Sequence, residues 1–85
     1  MIVKTKTNFA GEVVYEMESP TVKKVLIGLS DKVPWPICLP KDQKVRGDFN
    51  VYVNGIEYEN LTHGIDTPLE EEDEVEVAMV ILAGG

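Results

Sequence analysis

Alternating apolar and polar side chains at the start of the chain predict a β-hairpin. Residues 2–9 alternate with the two-residue period of a strand that has one solvated face. A turn at residues 10–12 follows. Val13, Tyr15 and Met17 then resume the alternation on the apolar face, so the second strand is expected to return beside the first.

A helical pattern comes next. Ser19 is expected to cap the helix and Pro20 to occupy its first position, because serine accepts free backbone N–H groups and proline needs none. Four apolar residues recur with the spacing of one helical face: Val22, Val25, Leu26 and Leu29. The helix is expected to end near Asp31 and to pack with that face against a sheet.

The second half of the chain predicts three further strands. A proline-rich loop over residues 31–47 precedes a strand over 49–53, and Asn54-Gly55 is a strong signal for a tight hairpin turn. A short strand over 56–58 and a crossover over 59–74 lead to a last strand that starts at Val75. The predicted order is β-β-α-β-β-β.

Composition restricts the possible functions. The 85 residues suffice for one domain, and 44% hydrophobic with 27% charged residues is typical of a globular protein. The net charge of −7 disfavours nucleic acid as a partner, because phosphate binding needs a basic patch. The acidic run at residues 70–74 is either a solvated turn or a feature that steers a basic partner, and we favour the solvated turn for residues 70–72. No segment resembles a membrane span or a signal peptide, so we expect a cytoplasmic protein.

The side chains that could carry catalysis are few. Cys38 lies in an apolar stretch and is expected to be a buried, inert thiol. His63, the single histidine, is expected in a solvated loop. Neither has a partner that would make a nucleophile, a base or a metal site, so we expect no metal, no organic cofactor and no enzymatic activity of the chain alone.

The chain ends in Ala83-Gly84-Gly85 after an apolar strand pattern. Glycine has no Cβ, so such a terminus can enter a narrow channel and present an unhindered carboxylate. The alternative is an idle flexible tail, since chain ends are commonly disordered. We expect a folded domain over residues 1–82 and a flexible tail over 83–85.

Several motifs in order resemble those of one family. They are Thr21-Val22 at the helix start, Tyr52-Val53-Asn54-Gly55 at the hairpin, Asp66-Thr67-Pro68-Leu69 and Asp73-Glu74-Val75 before the last strand, and Ala83-Gly84-Gly85 at the end. With them the chain resembles the ThiS/MoaD sulfur carriers over nearly its whole length. Glu72 departs from that pattern, where the family usually has glycine. The resemblance implies an α+β, ubiquitin-like β-grasp fold, a mixed sheet with one main helix packed across it.

The resemblance also implies a function. A ubiquitin-activating-like enzyme would adenylate Gly85, and conversion to a thiocarboxylate would let a sulfur-accepting synthase use the sulfur in molybdopterin or thiamine thiazole biosynthesis. The pathway stays open between these two. The alternative is a ubiquitin-like modifier joined through Gly85 to lysines of target proteins. The carrier alone is expected to be a monomer.

Docking of these partners would need an exposed apolar patch. If Val75 and Val77 face the core, alternation places Ala78 and Val80 on the open face of the sheet, and we assign them, with Leu82, to partner docking. A distortion of the strand that buries Val80 is the competing interpretation.

Overall fold

The computed structural model describes residues 1–33, 37–38, 41 and 44–80. Among these residues the chain forms five strands, one α-helix and two short 3₁₀-helices. In chain order they are β1 (Ile2–Thr7), β2 (Glu12–Glu16), α1 (Val22–Ser30), β3 (Phe49–Val53), β4 (Ile56–Glu57), the 3₁₀-helices Tyr58–Asn60 and Gly64–Asp66, and β5 (Glu74–Met79). The predicted order of elements is confirmed.

The strands form one mixed sheet in the order β2-β1-β5-β3-β4. The central strand, β5, is parallel to β1, and the other neighbouring pairs are antiparallel. The helix covers one face of this sheet, and none of the other described elements covers the opposite face. This is the ubiquitin-like β-grasp fold of the α+β class, as predicted.

The core lies between α1 and the sheet. The four apolar helix residues predicted to share one face are all fully buried. They meet inward-facing sheet residues that are also buried: Val3, Val51, Val75 and Val77. Burying one such side chain contributes about 1.5–3 kcal/mol. Cys38 is buried in the same cluster, as predicted, and its thiol lies 4.0 Å from the Lys44 carbonyl oxygen.

The start of α1 differs from the prediction. Ser19 is not the cap; it adopts a positive φ of 46°. Thr21 caps the helix instead, and its side-chain oxygen accepts a hydrogen bond from the Lys24 N–H at 3.2 Å. Pro20 is buried before the helix, where its carbonyl accepts from the Leu69 N–H at 2.9 Å. The tertiary contact to Leu69 therefore keeps Pro20 out of the helix and moves the cap two residues along.

The turn between β3 and β4 follows a local backbone rule, whereas the early end of β4 goes with the burial of Tyr58. Asn54 and Gly55 have φ values of 52° and 83°, which is the conformation that a two-residue turn requires. The predicted strand over 56–58 ends at Glu57, because Tyr58 turns into a 3₁₀-helix and is buried. There its hydroxyl accepts a hydrogen bond from the Val45 N–H at 3.1 Å.

A glycine lets α1 approach β2 closely. A Cβ at Gly28 would lie 3.3 Å from the Cε1 atom of Tyr15, closer than an ordinary van der Waals contact. Burial, with a smaller contribution from the negative charge of Asp31, raises the pKa of Tyr15. The aromatic ring therefore serves packing between the helix and the edge strand.

Two threonines of β1 should respond oppositely to the same substitution. Thr5→Val should raise the free energy of unfolding by about 1 kcal/mol, because the Thr5 hydroxyl is buried without a hydrogen-bond partner in the described part of the chain. Thr7→Val should lower it by about 1 kcal/mol. The Thr7 hydroxyl donates to the Gly11 carbonyl at 2.8 Å and accepts from the Ala10 N–H at 2.7 Å. Urea denaturation measures both, and a change of the same sign in the two variants would contradict this account.

Candidate functional site

The candidate site is the end of β5, where the chain leads towards the predicted tail. Leu82, Ala83, Gly84 and Gly85, which the sequence assigns to docking and reaction, lie outside the described residues. The structure describes the base from which they continue, up to Val80. That base lies in the middle of the sheet, because β5 has β1 on one side and β3 on the other.

Side-chain alternation along β5 agrees with the prediction. Val75 and Val77 are buried against the helix, with 1% and 0% of their surface exposed. Glu76 is exposed on the opposite face, Ala78 is half-buried, and Val80 keeps 37% exposure. The expectation that Val80 is exposed is confirmed, and the competing interpretation that it is buried is wrong. The docking role of Ala78 and Val80 stays a prediction.

Hydrogen bonds hold the end of β5 from both sides. On the β1 side, the Asn8 side chain accepts from the Met79 N–H at 2.8 Å and donates to the Met79 carbonyl at 3.1 Å. On the β3 side, the Val80 N–H donates to the Asp48 carbonyl at 2.7 Å. We call these three bonds the tail clamp. Sequence reasoning missed Asn8, whose only signal was a polar residue where the first strand ends.

Apolar packing against the core also supports the tail clamp. Met79 lies opposite Phe49 in the register of β3 and β5 and packs against the core. The Phe49 ring meets the Phe9 ring edge to face, with centroids 5.6 Å apart and an interplanar angle of 69°. Such an aromatic pair contributes about 0.5–1.5 kcal/mol beyond its burial. The base of the tail is therefore fixed both by polar bonds and by the core.

The open face around this base combines small apolar and charged groups. Register places Asn50 beside Ala78, and Lys6 and Tyr52 on either side of Glu76. Opposite charges on neighbouring strands, as in Lys6 and Glu76, favour that register. The face thus presents Ala78 and Val80 next to acidic side chains, which include Glu76 on the strand itself.

A second polar network holds the beginning of β5. The Asn54 side chain donates to Asp73 Oδ1 at 2.9 Å and accepts from the Glu74 N–H at 2.9 Å, while the Asn54 N–H donates to the Glu74 carbonyl at 2.8 Å. Asp73 Oδ2 also accepts from the Glu70 N–H at 2.8 Å. The hairpin motif and the motif before the last strand are therefore in direct contact, and the acidic turn is closed by one of its own carboxylates.

The other pair of motifs also meets. The Val22 N–H at the helix start donates to the Thr67 carbonyl at 3.1 Å, and Thr21 forms an isolated antiparallel bridge with Pro68. The Thr67 hydroxyl in turn donates to the Gly64 carbonyl at 2.7 Å. These residues join the helix start to the crossover, so their role in the structure is to hold the fold together.

The remaining chemistry-bearing side chains stay apart. His63 is exposed before the second 3₁₀-helix, and Cys38 is buried. No group of three or more metal-ligating side chains occurs among the described residues. A hollow of about 160 Å³ beside β3 is lined by Arg46, Glu57 and neighbouring residues. In the same described ranges, no helix is long and apolar enough to cross a membrane.

Substitution of Asn54 should separate its side-chain bonds from its backbone conformation. Asn54→Gly should lower the free energy of unfolding by about 2 kcal/mol, because two side-chain hydrogen bonds are lost while glycine tolerates the positive φ. Asn54→Ala should cost about 1 kcal/mol more, since alanine is strained in that conformation. Thermal or urea unfolding measures both. Equal losses would show that the positive φ carries no strain here.

Comparison with known proteins supports the architecture. No model of a protein family matches the chain, and no curated protein matches it. Among solved structures, it is similar to the solution structure of the Haloferax volcanii HVO 2177 protein, with 25% sequence identity and a TM-score of 0.73. The similarity covers 99% of this chain and 87% of that protein, so it extends over the whole β-grasp architecture.

Proposed function

We propose that this protein is a sulfur carrier of the ThiS/MoaD type, with Gly85 as its reacting residue. The carboxylate of Gly85 would be adenylated and converted to a thiocarboxylate that donates sulfur in molybdopterin or thiamine thiazole biosynthesis. The observation that carries the proposal is the clamped end of β5, since Val80 stands five positions before Gly85. The chain thus combines a β-grasp domain and an Ala-Gly-Gly end with a strand that is held in place shortly before that end.

The chemistry requires little from the carrier itself. A carboxylate is a poor electrophile, so its oxygen first attacks the α-phosphorus of ATP and pyrophosphate leaves. A sulfide or persulfide sulfur then displaces AMP from the acyl adenylate; with a persulfide, a further thiol must reduce the resulting disulfide. The catalytic groups belong to the adenylating enzyme and the synthase. The carrier contributes the carboxylate, its reach and a docking surface.

Reach and docking follow from separate parts of the molecule. Five residues beyond Val80 would span about 17 Å if extended, at about 3.3–3.6 Å per residue. That length suffices to enter an active site while the globular domain stays outside. Ala78 and Val80 would dock the partner, and Leu82 would continue the same face. Exposed acidic residues such as Glu76 and Asp48 would speed the encounter with a basic partner.

The alternative function is a protein modifier conjugated through Gly85 to lysines. It would use the same tail and the same adenylation step. Mass spectrometry of protein from the native cell distinguishes the two. Replacement of one oxygen by sulfur in the intact carrier supports sulfur transfer, whereas Gly-Gly remnants on lysines of other proteins support conjugation.

Changes at Gly85 should abolish activation without affecting the fold. Deleting Gly85, or adding one residue after it, should remove carrier-dependent ATP–pyrophosphate exchange by the adenylating enzyme isolated from the native cell. The reason is that the reacting carboxylate would then be displaced by one residue, and misplacement of that order costs about 10²-fold or more. Circular dichroism should be unchanged. An extended variant that is activated as well as the parent chain would disprove the role of Gly85.

Two valines of the same segment should separate folding from docking. Val77→Asp should unfold the domain, because it buries an unpaired charge at a position with 0% exposure. Val80→Asp should change the free energy of unfolding by less than about 0.5 kcal/mol, as at other surface sites. It should nevertheless lower kcat/KM for adenylation about tenfold or more, since it places a charge in the proposed apolar contact. Urea denaturation and pyrophosphate exchange measure the two effects. Full activity of Val80→Asp would place the docking surface elsewhere.

A further inference from the structure

We infer that Asn8 is a positioning residue that sets the direction in which the C-terminal tail leaves the sheet; this inference rests on the proposed function. Asn8 is exposed and lies immediately after β1, far from Met79 in sequence. Both polar atoms of its amide nevertheless bond the backbone of Met79, at 2.8 and 3.1 Å. An exposed side chain with both its donor and its acceptor engaged by one residue is positioned by that contact.

The side chain replaces a backbone partner that β1 cannot supply. The parallel pairing of β1 with β5 ends at Thr7 opposite Val77. Beyond Thr7 the chain turns towards β2, and the Thr7 N–H is bonded to the Gly11 carbonyl at 2.9 Å. A primary amide carries the donor and the acceptor that a peptide group would have offered. Asn8 thereby extends the pairing of β5 to Met79 after the first strand has turned away.

The peptide unit between Met79 and Val80 is held from opposite sides. Its carbonyl accepts from Asn8 Nδ2, and its N–H donates to the Asp48 carbonyl at 2.7 Å. Because a peptide unit is planar, two bonds on opposite edges fix the orientation of the whole plane. That plane fixes the position of the Val80 Cα, from which the chain continues.

Loss of the Asn8 contact should therefore act on carrier binding before it acts on the chemistry. Residues of β5 that are freed at its end must be ordered again when the tail enters the adenylating enzyme. Ordering about one additional backbone residue corresponds to a roughly tenfold loss of affinity. We expect KM for the carrier to rise about tenfold, while kcat at saturating carrier changes less than about twofold.

Three variants test this inference. Asn8→Leu keeps the size of the side chain and loses both bonds. Asn8→Asp keeps the acceptor for the Met79 N–H but loses the donor to the Met79 carbonyl. Asn60→Leu is the matched control. Asn60 is an exposed asparagine at the end of the 3₁₀-helix that follows β4, and β4 is the edge strand on the far side of β5 from β1. Amide hydrogen exchange and the pyrophosphate exchange kinetics of the native adenylating enzyme are measured for each.

In Asn8→Leu, exchange of the Met79 amide should accelerate at least tenfold while that of Val77 is unchanged, and KM should rise about tenfold. In Asn8→Asp the Met79 amide should stay protected, and KM should lie between the values of the parent chain and Asn8→Leu. Asn60→Leu should match the parent chain in both measurements. If the Val77 amide also exchanges faster in Asn8→Leu, that variant has unfolded, and Asn8→Asp decides instead. A KM of Asn8→Asp above that of the parent chain supports the inference, and an unchanged KM contradicts it.

The inference and the proposed function fail differently. A parent chain that no enzyme of its native cell adenylates would overturn the proposed function, while the hydrogen exchange of Met79 would still report on the clamp. If the parent chain is adenylated and loss of Met79 protection leaves KM unchanged, Asn8 does not position the tail. An unprotected Met79 amide in the parent chain would overturn the clamp itself.

Discussion

The rest of the structure depends on the placement of β5 between β1 and β3. This strand supplies both the centre of the core, through Val75 and Val77, and the exit of the chain towards Gly85. Parallel neighbours such as β1 and β5 cannot be joined by a tight turn, so a long connection separates them in the chain. That connection includes α1, which packs on one face of the sheet. Asparagine side chains bond the backbone at both ends of this strand, Asn54 at its start and Asn8 at its end.

The internal motifs that resemble those of sulfur carriers have a structural explanation in this chain. Asn54 contacts Asp73 and Glu74, and the helix start at Thr21-Val22 contacts Thr67-Pro68. Each contact joins two motifs that are far apart in sequence. These residues hold the β-grasp fold, and their presence supports the fold more directly than the chemistry. The functional proposal therefore depends chiefly on the terminal Ala83-Gly84-Gly85 and on the geometry of its base.

In the proposed function, the two faces of β5 would serve folding and docking separately. The inner face is apolar and packs against the helix, where a charge would be costly. The outer face presents Val80 and Ala78 beside acidic side chains, a composition suited to reversible contact with a partner. A single strand can perform both tasks because its side chains alternate between the faces. The tail clamp joins the two, since it holds Met79, the last residue of β5, and the exposed Val80 that follows it.

The sequence by itself determined the order of the elements, the buried face of α1, the Asn54-Gly55 turn and the exposure of Val80. Each of these follows from local periodicity or from the backbone preference of one or two residues. The tertiary structure decided the cap at Thr21, the early end of β4 and the role of Asn8. Pro20 is engaged by Leu69, Tyr58 by Val45, and Asn8 by Met79. The two side-chain contacts, of Tyr58 and of Asn8, join residues that are 13 and 71 positions apart in the sequence. A pattern of neighbouring residues cannot predict these hydrogen bonds, because they form only once distant parts of the chain have been brought together.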